Sequence, residues 1–121
     1  MTTSELQAAV RERDGLAVID LTGDVNAAAE QALNQAYAEA TAGGAGSVAL
    51  NFARAEYINS TGIALIVGLL AQARTNGVEM KAFGLSDHYR EIFEITRLAD
   101  FMTIADNEEG AVSDATRSSD A

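Results

Sequence analysis

A chain of 121 residues is the length of one domain, and with 48% apolar residues it has enough to bury a core. It contains no cysteine and a single histidine, His88, which excludes disulfides, thiolate metal sites, thiol nucleophiles and His-cluster metal centres. Eight basic residues against 18 acidic ones leave a formal net charge of −10, the wrong sign for nucleic acid or an anionic membrane surface and one that attracts a basic protein partner.

The first ten residues, MTTSELQAAV, carry an acid and no apolar targeting run, so a cytoplasmic location is expected. Leu6 to Val10 reads as a short partner strand, joined by a turn at Arg11 to Gly15 to the apolar strand Leu16 to Leu21. Asp24-Val25-Asn26 ends that strand. Asn26 is placed to cap a helix over Ala27 to Ala42, whose Ala29, Leu33, Ala36, Tyr37 and Ala40 recur at helical spacing. Gly43 to Gly46 ends the helix. It is not a phosphate loop, because it follows a helix and no Lys-Ser/Thr comes after it.

Ser47 to Phe52 is the second clear strand, and Ala53 to Ile58 is read as a connection. Asn59-Ser60-Thr61-Gly62 then opens the apolar helix Ile63 to Thr75, stopped by Asn76-Gly77. A helix apolar on more than one side is buried, or is partly an interface. Its longest apolar run, Gly62 to Ala71, is about half a bilayer span, so no membrane insertion is expected. Val78 to Phe83 alternates like a strand near a sheet edge. Gly84-Leu85 turns, and Ser86 caps a helix to about Thr96 anchored by Ile92, Phe93 and Ile95. Phe101 to Ala105 is a last short strand. Asn107 to about Thr116 is a weak helix broken at Gly110. One domain over residues 1–112 is expected, followed by an acidic, flexible tail over 113–121.

Strands alternating with helices indicate an α/β fold: a small, mostly parallel sheet packed with about four helices. Ligands of such sheets gather at the C-terminal ends of the strands, where the connections Gly23 to Asn26, Ala53 to Thr61 and Gly84 to Asp87 meet. Ser60 has two readings there: a simple helix cap, or a phosphate acceptor at a helix start whose free N–H groups and dipole favour an anion. His88 reads as an ordinary surface or half-buried histidine, because no nucleophile or second acid is paired with it. Asp24 with Glu56 reads as solvated charge rather than a weak cation site. No catalytic residue and no cofactor or metal is expected.

LNFARAEYINSTGIALIVGLL, residues 50–70, resembles the signature of STAS domains, in which a strand and a short connection lead to Asp-Ser-Ser-Gly-Leu opening an apolar helix. LAVIDLTGDVNAAAEQAL, residues 16–33, is similar to the family's first strand, which ends in Gly-Glu-Leu-Asp. Gly84-Leu85-Ser86, the helix with Ile92 and Phe93, and Thr96-Arg97-Leu98 resemble its last third. The resemblance implies a regulatory domain without catalysis, of the anti-sigma factor antagonist type. It implies a partner that is an anti-sigma factor and a GHKL-type serine kinase holding the ATP, phosphorylation at Ser60 in preference to Thr61, release on phosphorylation, and resetting by a phosphatase. The partner-binding residues it implies are Asp24, Asn26, Asn59, Ser60, Thr61, Gly62, Ile63, Leu85 and Ser86, and it allows a weak homodimer. Asn59 and Asn26 each stand where the family has an acid. Asn caps a helix as well as Asp does but brings no negative charge. The same family includes adaptor subunits of signalling assemblies and of transporter ATPases, uses in which the phosphate cycle could be dispensed with.

Overall fold

The structure, a computed structural model, describes residues 5–112. The expected tail over 113–121, and the end of the last helix beyond residue 112, lie outside the described residues. The sheet has five strands in chain order: β1 (Gln7–Arg13), β2 (Leu16–Val25), β3 (Ser47–Ile58), β4 (Glu79–Phe83) and β5 (Thr103–Ala105). β1 is antiparallel to β2, and every other pairing is parallel. The helices are α1 (Glu30–Ala42), α2 (Ser60–Asn76), α3 (Asp87–Ile95) and a turn of helix over residues 108–112, with 3-10 turns at Ala27–Ala29 and Leu98–Asp100. The expected α/β architecture with a mostly parallel sheet is therefore the observed one.

Alternation along the strands divides the interior in two. Ala17, Ile19, Leu21, Val48, Leu50, Phe52, Met80 and Ala82 face the helices and meet Leu33, Tyr37, Ile66, Leu70 and Phe93 in the main core. Leu16, Val18, Ala49 and Phe83 face the other way and meet Ala105 and Ala111. Burial of this kind stabilises by roughly 25 cal/mol for each Å² of apolar surface removed from water. α2 buries Gly62, Ile66, Leu69, Leu70 and Ala73, while Val67 turns outward and stays 46% exposed.

Several features differ from the sequence reading, each for a local reason. β5 begins at Thr103 rather than Phe101, because Phe101 still closes the 3-10 turn, its N–H donating to the Leu98 carbonyl at 3.0 Å. β1 runs on to Arg13, because Asp14-Gly15 alone makes the two-residue hairpin turn and Arg13 pairs with Leu16. β3 continues through Ala53–Ile58, where the expected connection pairs with Thr22–Val25 across two register shifts. β4 is an interior strand rather than an edge strand: β5 flanks it, and Lys81 and Phe83 are buried. Gly110 does not break the last helix, whose start is capped by Asn107 accepting from the Gly110 N–H at 2.8 Å. Within α3, Ile95 is 70% exposed rather than an anchor, since it lies two residues from buried Phe93 and so on the opposite side of the helix.

Candidate functional site

β2 and β3 outrun the rest of the sheet. Phe83 at the end of β4 pairs with Asn51, so the stretch of β3 from Phe52 to Ile58 has only β2 beside it. The two strands end together at Val25 and Ile58. Each then delivers an asparagine that starts a helix. The Asn26 Oδ1 accepts from the Ala28 N–H at 3.0 Å, and the Asn59 Oδ1 accepts from the Gly62 N–H at 2.8 Å. The cap of α2 is thus Asn59, and the simple-cap reading of Ser60 is corrected: Ser60 is the first residue inside the helix.

The start of α2 rests directly on the end of β2. The Asn59 N–H donates to the Val25 carbonyl at 3.2 Å, and a Cβ on Gly62 would lie 2.0 Å from that same oxygen. Only glycine allows so close an approach. Gly62 is buried and acts as a spacer that sets the height of Ser60 and Thr61, both of which are exposed. Thr61, in the first turn of α2, is exposed like Ser60. Asn59 satisfies the Gly62 N–H, so the N–H groups of Ser60 and Thr61 are the ones left without an intrahelical acceptor. With the dipole of a 17-residue helix behind them, they favour an anion at this point.

The third connection reaches the same end of the sheet. A Cβ on Gly84 would lie 2.7 Å from the Ala53 nitrogen, so the chain leaving β4 passes close against β3. Leu85 is half-buried against the main core. Exposed Ser86 caps α3, its Oγ accepting from the Tyr89 N–H at 3.3 Å. The Tyr89 hydroxyl in turn accepts from the Ile58 N–H at 3.0 Å, tying α3 to the end of β3 just before Asn59. Asp24, Asn26 and Asn59 are half-buried, and Ile63 packs its half-buried side chain on the core. The named residues therefore share one end of the sheet, with Ser60, Thr61 and Ser86 at its exposed surface.

Tyr57 escaped the sequence reading. It is 56% exposed, opposite Asp24 in the strand register and three residues before Ser60. The signal was the length of β3: once Ala53–Ile58 is a strand, an exposed aromatic side chain beside the helix start becomes visible. His88 is exposed, with its ring against Tyr89 at 5.0 Å between centroids. Among the described residues there is no group of three or more His, Asp or Glu side chains able to hold a metal, and no helix long and apolar enough to cross a membrane. The carboxyls shifted from their ordinary range, Asp20 and Glu108, lie on the other face of the sheet and do not mark this site.

The family model described as the STAS domain matches residues 7–111. BtrV of Bordetella bronchiseptica, named for an anti-sigma factor antagonist, is 31% identical over 98 residues, covering 81% of this chain and 84% of BtrV. The anti-sigma-B factor antagonist of Staphylococcus aureus is 35% identical over 66 residues, 54% of this chain and 61% of that protein. Among solved structures, an anti-sigma factor antagonist from Mycobacterium paratuberculosis has a TM-score of 0.75 at 16% identity, covering 93% of this chain and 95% of its own. The Bacillus cell fate determinant SpoIIAA in its phosphorylated form has a TM-score of 0.67 at 22% identity, covering 89% and 98%. These two structural likenesses establish the fold.

Proposed function

The chain belongs to the STAS domain family, in its anti-sigma factor antagonist type, and from that premise we propose that it binds an anti-sigma factor of the serine-kinase class and is released when Ser60 is phosphorylated. STAS domains of this type are regulatory and not catalytic. The observation that carries the reading is the placement of Ser60: exposed, first in α2, beside two free N–H groups and held out by the Gly62 contact with Val25. A phosphate there adds about −1.5 to −2 charges and three acceptor oxygens. The helix start accommodates that charge, whereas a partner packed over the same spot through acidic or apolar groups is repelled. Asp24, Asn26, Asn59, Thr61, Ile63, Leu85, Ser86 and exposed Tyr57 form the surround on which the partner would rest, with Gly62 as the buried spacer beneath it.

One observation favours a second reading, an adaptor subunit without a phosphate cycle. Asn59 fulfils the capping role at 2.8 Å with no carboxylate, so the helix start is complete while the charge the family places beside its acceptor is missing. The two readings separate in one experiment. The protein that wild type retains and Ser60→Asp does not is identified from a lysate of the source cells, and its affinity for both is measured by calorimetry. Asp caps and tolerates the helix start about as well as Ser. Ser60→Asp should therefore keep the urea midpoint of wild type and bind at least about tenfold more weakly, about 1.4 kcal/mol. Equal affinity refutes the switch. Incubation of that partner with ATP, followed by peptide mapping, should place phosphate on Ser60. Phosphate on Thr61 alone reassigns the acceptor, and tight binding with no phosphate on either residue favours the adaptor.

A further inference from the structure

The outer side of α2 carries an uncharged stripe that ends in a cation. Ser60, Ala64, Val67, Ala71 and Arg74 recur at intervals of four and three residues, so they share one side of the helix, and all are exposed. Between Ser60 and Arg74 the helix bears no charged residue. At 1.5 Å of rise per residue, the two ends of the stripe lie about 21 Å apart. A stable interface covers about 800 Å² on each partner, a patch about 30 Å across, so a protein that rests on Ser60 and follows α2 covers both ends.

At its far end the stripe meets an apolar groove of about 240 Å³ between α2 and the turn Leu98–Asp100. Buried Leu70 and Leu98 form its floor. Val67 and Phe101 line it as well, and leave 46% and 54% of their surface in water. The Arg74 guanidinium lies over the Phe101 ring, 5.4 Å from its centroid. Most arginines of this chain are already paired. Arg11 and Arg13 share Glu108, and their hydrogen bonds hold its carboxyl down at about 2. Arg90 pairs with Asp106, and Arg97 with Asp100. Arg74 has no carboxylate partner among the described residues. Resting on Phe101, its guanidinium is held at the lip of the groove, so less freedom is lost when a carboxylate binds it.

Granted the reading of Ser60 as a partner-binding site, on which this rests, we propose that the groove is a second contact for the same partner, which seats there an apolar side chain whose neighbouring carboxylate pairs with Arg74. Two observations select this occupant. The stripe joins the groove to Ser60 with no charge in between, and an unpaired cation beside an apolar hollow calls for an apolar group next to an acid. The same chemistry suits the Ser60 end, where acidic or apolar partner groups are the ones a phosphate drives away. A second copy of this chain fits less well, because two chains of net charge −10 repel each other.

The test titrates, by calorimetry, the purified protein that wild type retains from a lysate and Ser60→Asp does not, against variants of the full chain. Phe101→Ala should bind it at least about tenfold more weakly than wild type, and Arg74→Gln at least about fivefold. Gln35→Glu lowers the net charge by the same amount on the exposed side of α1 and should bind as wild type. Raising NaCl from about 0.05 M to about 0.5 M should weaken wild type more than Arg74→Gln. Both groove side chains are exposed, so circular dichroism should report folded proteins, and Arg74→Gln carries the test if Phe101→Ala does not fold. Groove variants that bind as wild type while Ser60→Asp is weakened overturn the groove and leave the Ser60 reading in place. Ser60→Asp binding as wild type removes that reading, and the joint surface with it. Gln35→Glu weakened as much as Arg74→Gln would make overall charge the cause, and that overturns the pairing with Arg74, as do equal salt slopes in wild type and Arg74→Gln.

Discussion

Gly62→Ala and Gly68→Ala add the same methyl group to the same helix and should move stability in opposite directions. A Cβ at position 62 would lie 2.0 Å from the Val25 oxygen, 2.8 Å from its carbonyl carbon and 3.0 Å from its Cγ1. Non-bonded carbon contacts need about 3.5 Å, so the start of α2 must retreat by more than about 1 Å. That retreat breaks the Asn59 N–H bond to the Val25 carbonyl, which is already 3.2 Å long. Overpacking of this kind costs about 1–3 kcal/mol. The lost hydrogen bond costs about 1 kcal/mol more. Alanine recovers about 1 kcal/mol of helix propensity, so the net destabilisation is about 1–3 kcal/mol. At Gly68 nothing lies within 4 Å of the new methyl, the position is exposed, and the propensity gain of about 0.5–1 kcal/mol stands alone. Urea unfolding followed by far-ultraviolet circular dichroism, with a common slope for all three proteins, should therefore separate the variants by about 1.5–4 kcal/mol. Two variants within about 0.5 kcal/mol of each other would refute the steric account of Gly62.

Asn59→Ala should cost about 0.5–2 kcal/mol in the same assay, while Ser60→Ala stays within about 0.5 kcal/mol, because Asn59 and not Ser60 holds the Gly62 N–H. A Ser60→Ala loss equal to that of Asn59→Ala would show that the cap is assigned to the wrong residue. Stability should also fall in acid. The Glu108 pKa is lowered from 4.5 to about 2 on folding, so its contribution is complete above the unfolded value and is lost as pH drops towards about 2. Asp20 adds in the same direction: burial raises it, but hydrogen bonds from Arg11 and Asn51 outweigh that and leave it lowered. Solvent screening holds the Glu108 share to the order of 1 kcal/mol. Urea midpoints over that pH range should drop more steeply in wild type than in Glu108→Gln, and parallel curves would contradict this.

The apolar strands and the long helices were legible because their patterns are local. LAVIDL, SVALNF and the stripe Leu33, Ala36, Tyr37 and Ala40 carry their own periodicity, and each lies where it was expected. The overrun of β3 was not legible: Ala-Arg-Ala-Glu-Tyr has no apolar alternation, and it is a strand because β2 pairs with it across two register shifts. The interior place of β4 was hidden for a related reason. The alternation there reads as a strand near an edge, yet Lys81 is wholly buried and pairs with Thr103 of β5, a pairing no local pattern announces. At the candidate site, Asn-Ser-Thr-Gly before an apolar run located the helix start correctly. Which of the first two residues caps depended on a carbonyl of β2, and so did the need for glycine at position 62.

Strand order that copies chain order bears on how the domain assembles. Asp20 and Asn51, joined across β2 and β3, are separated by 31 positions, and Ser47 and Glu79, joined across β3 and β4, by 32. Each strand therefore finds its neighbour already made, and the loop-closure entropy of adding β3 to β2 and β4 to β3 is about the same. A chain emerging from the ribosome extends such a sheet one strand at a time, from β1 towards β5. The contact between Arg11 and Glu108 is the exception, spanning 97 positions. It waits for nearly the whole polypeptide, so the ring of charge that joins the first strand to the last helix is expected to form at the end of folding and to open first when the domain begins to unfold.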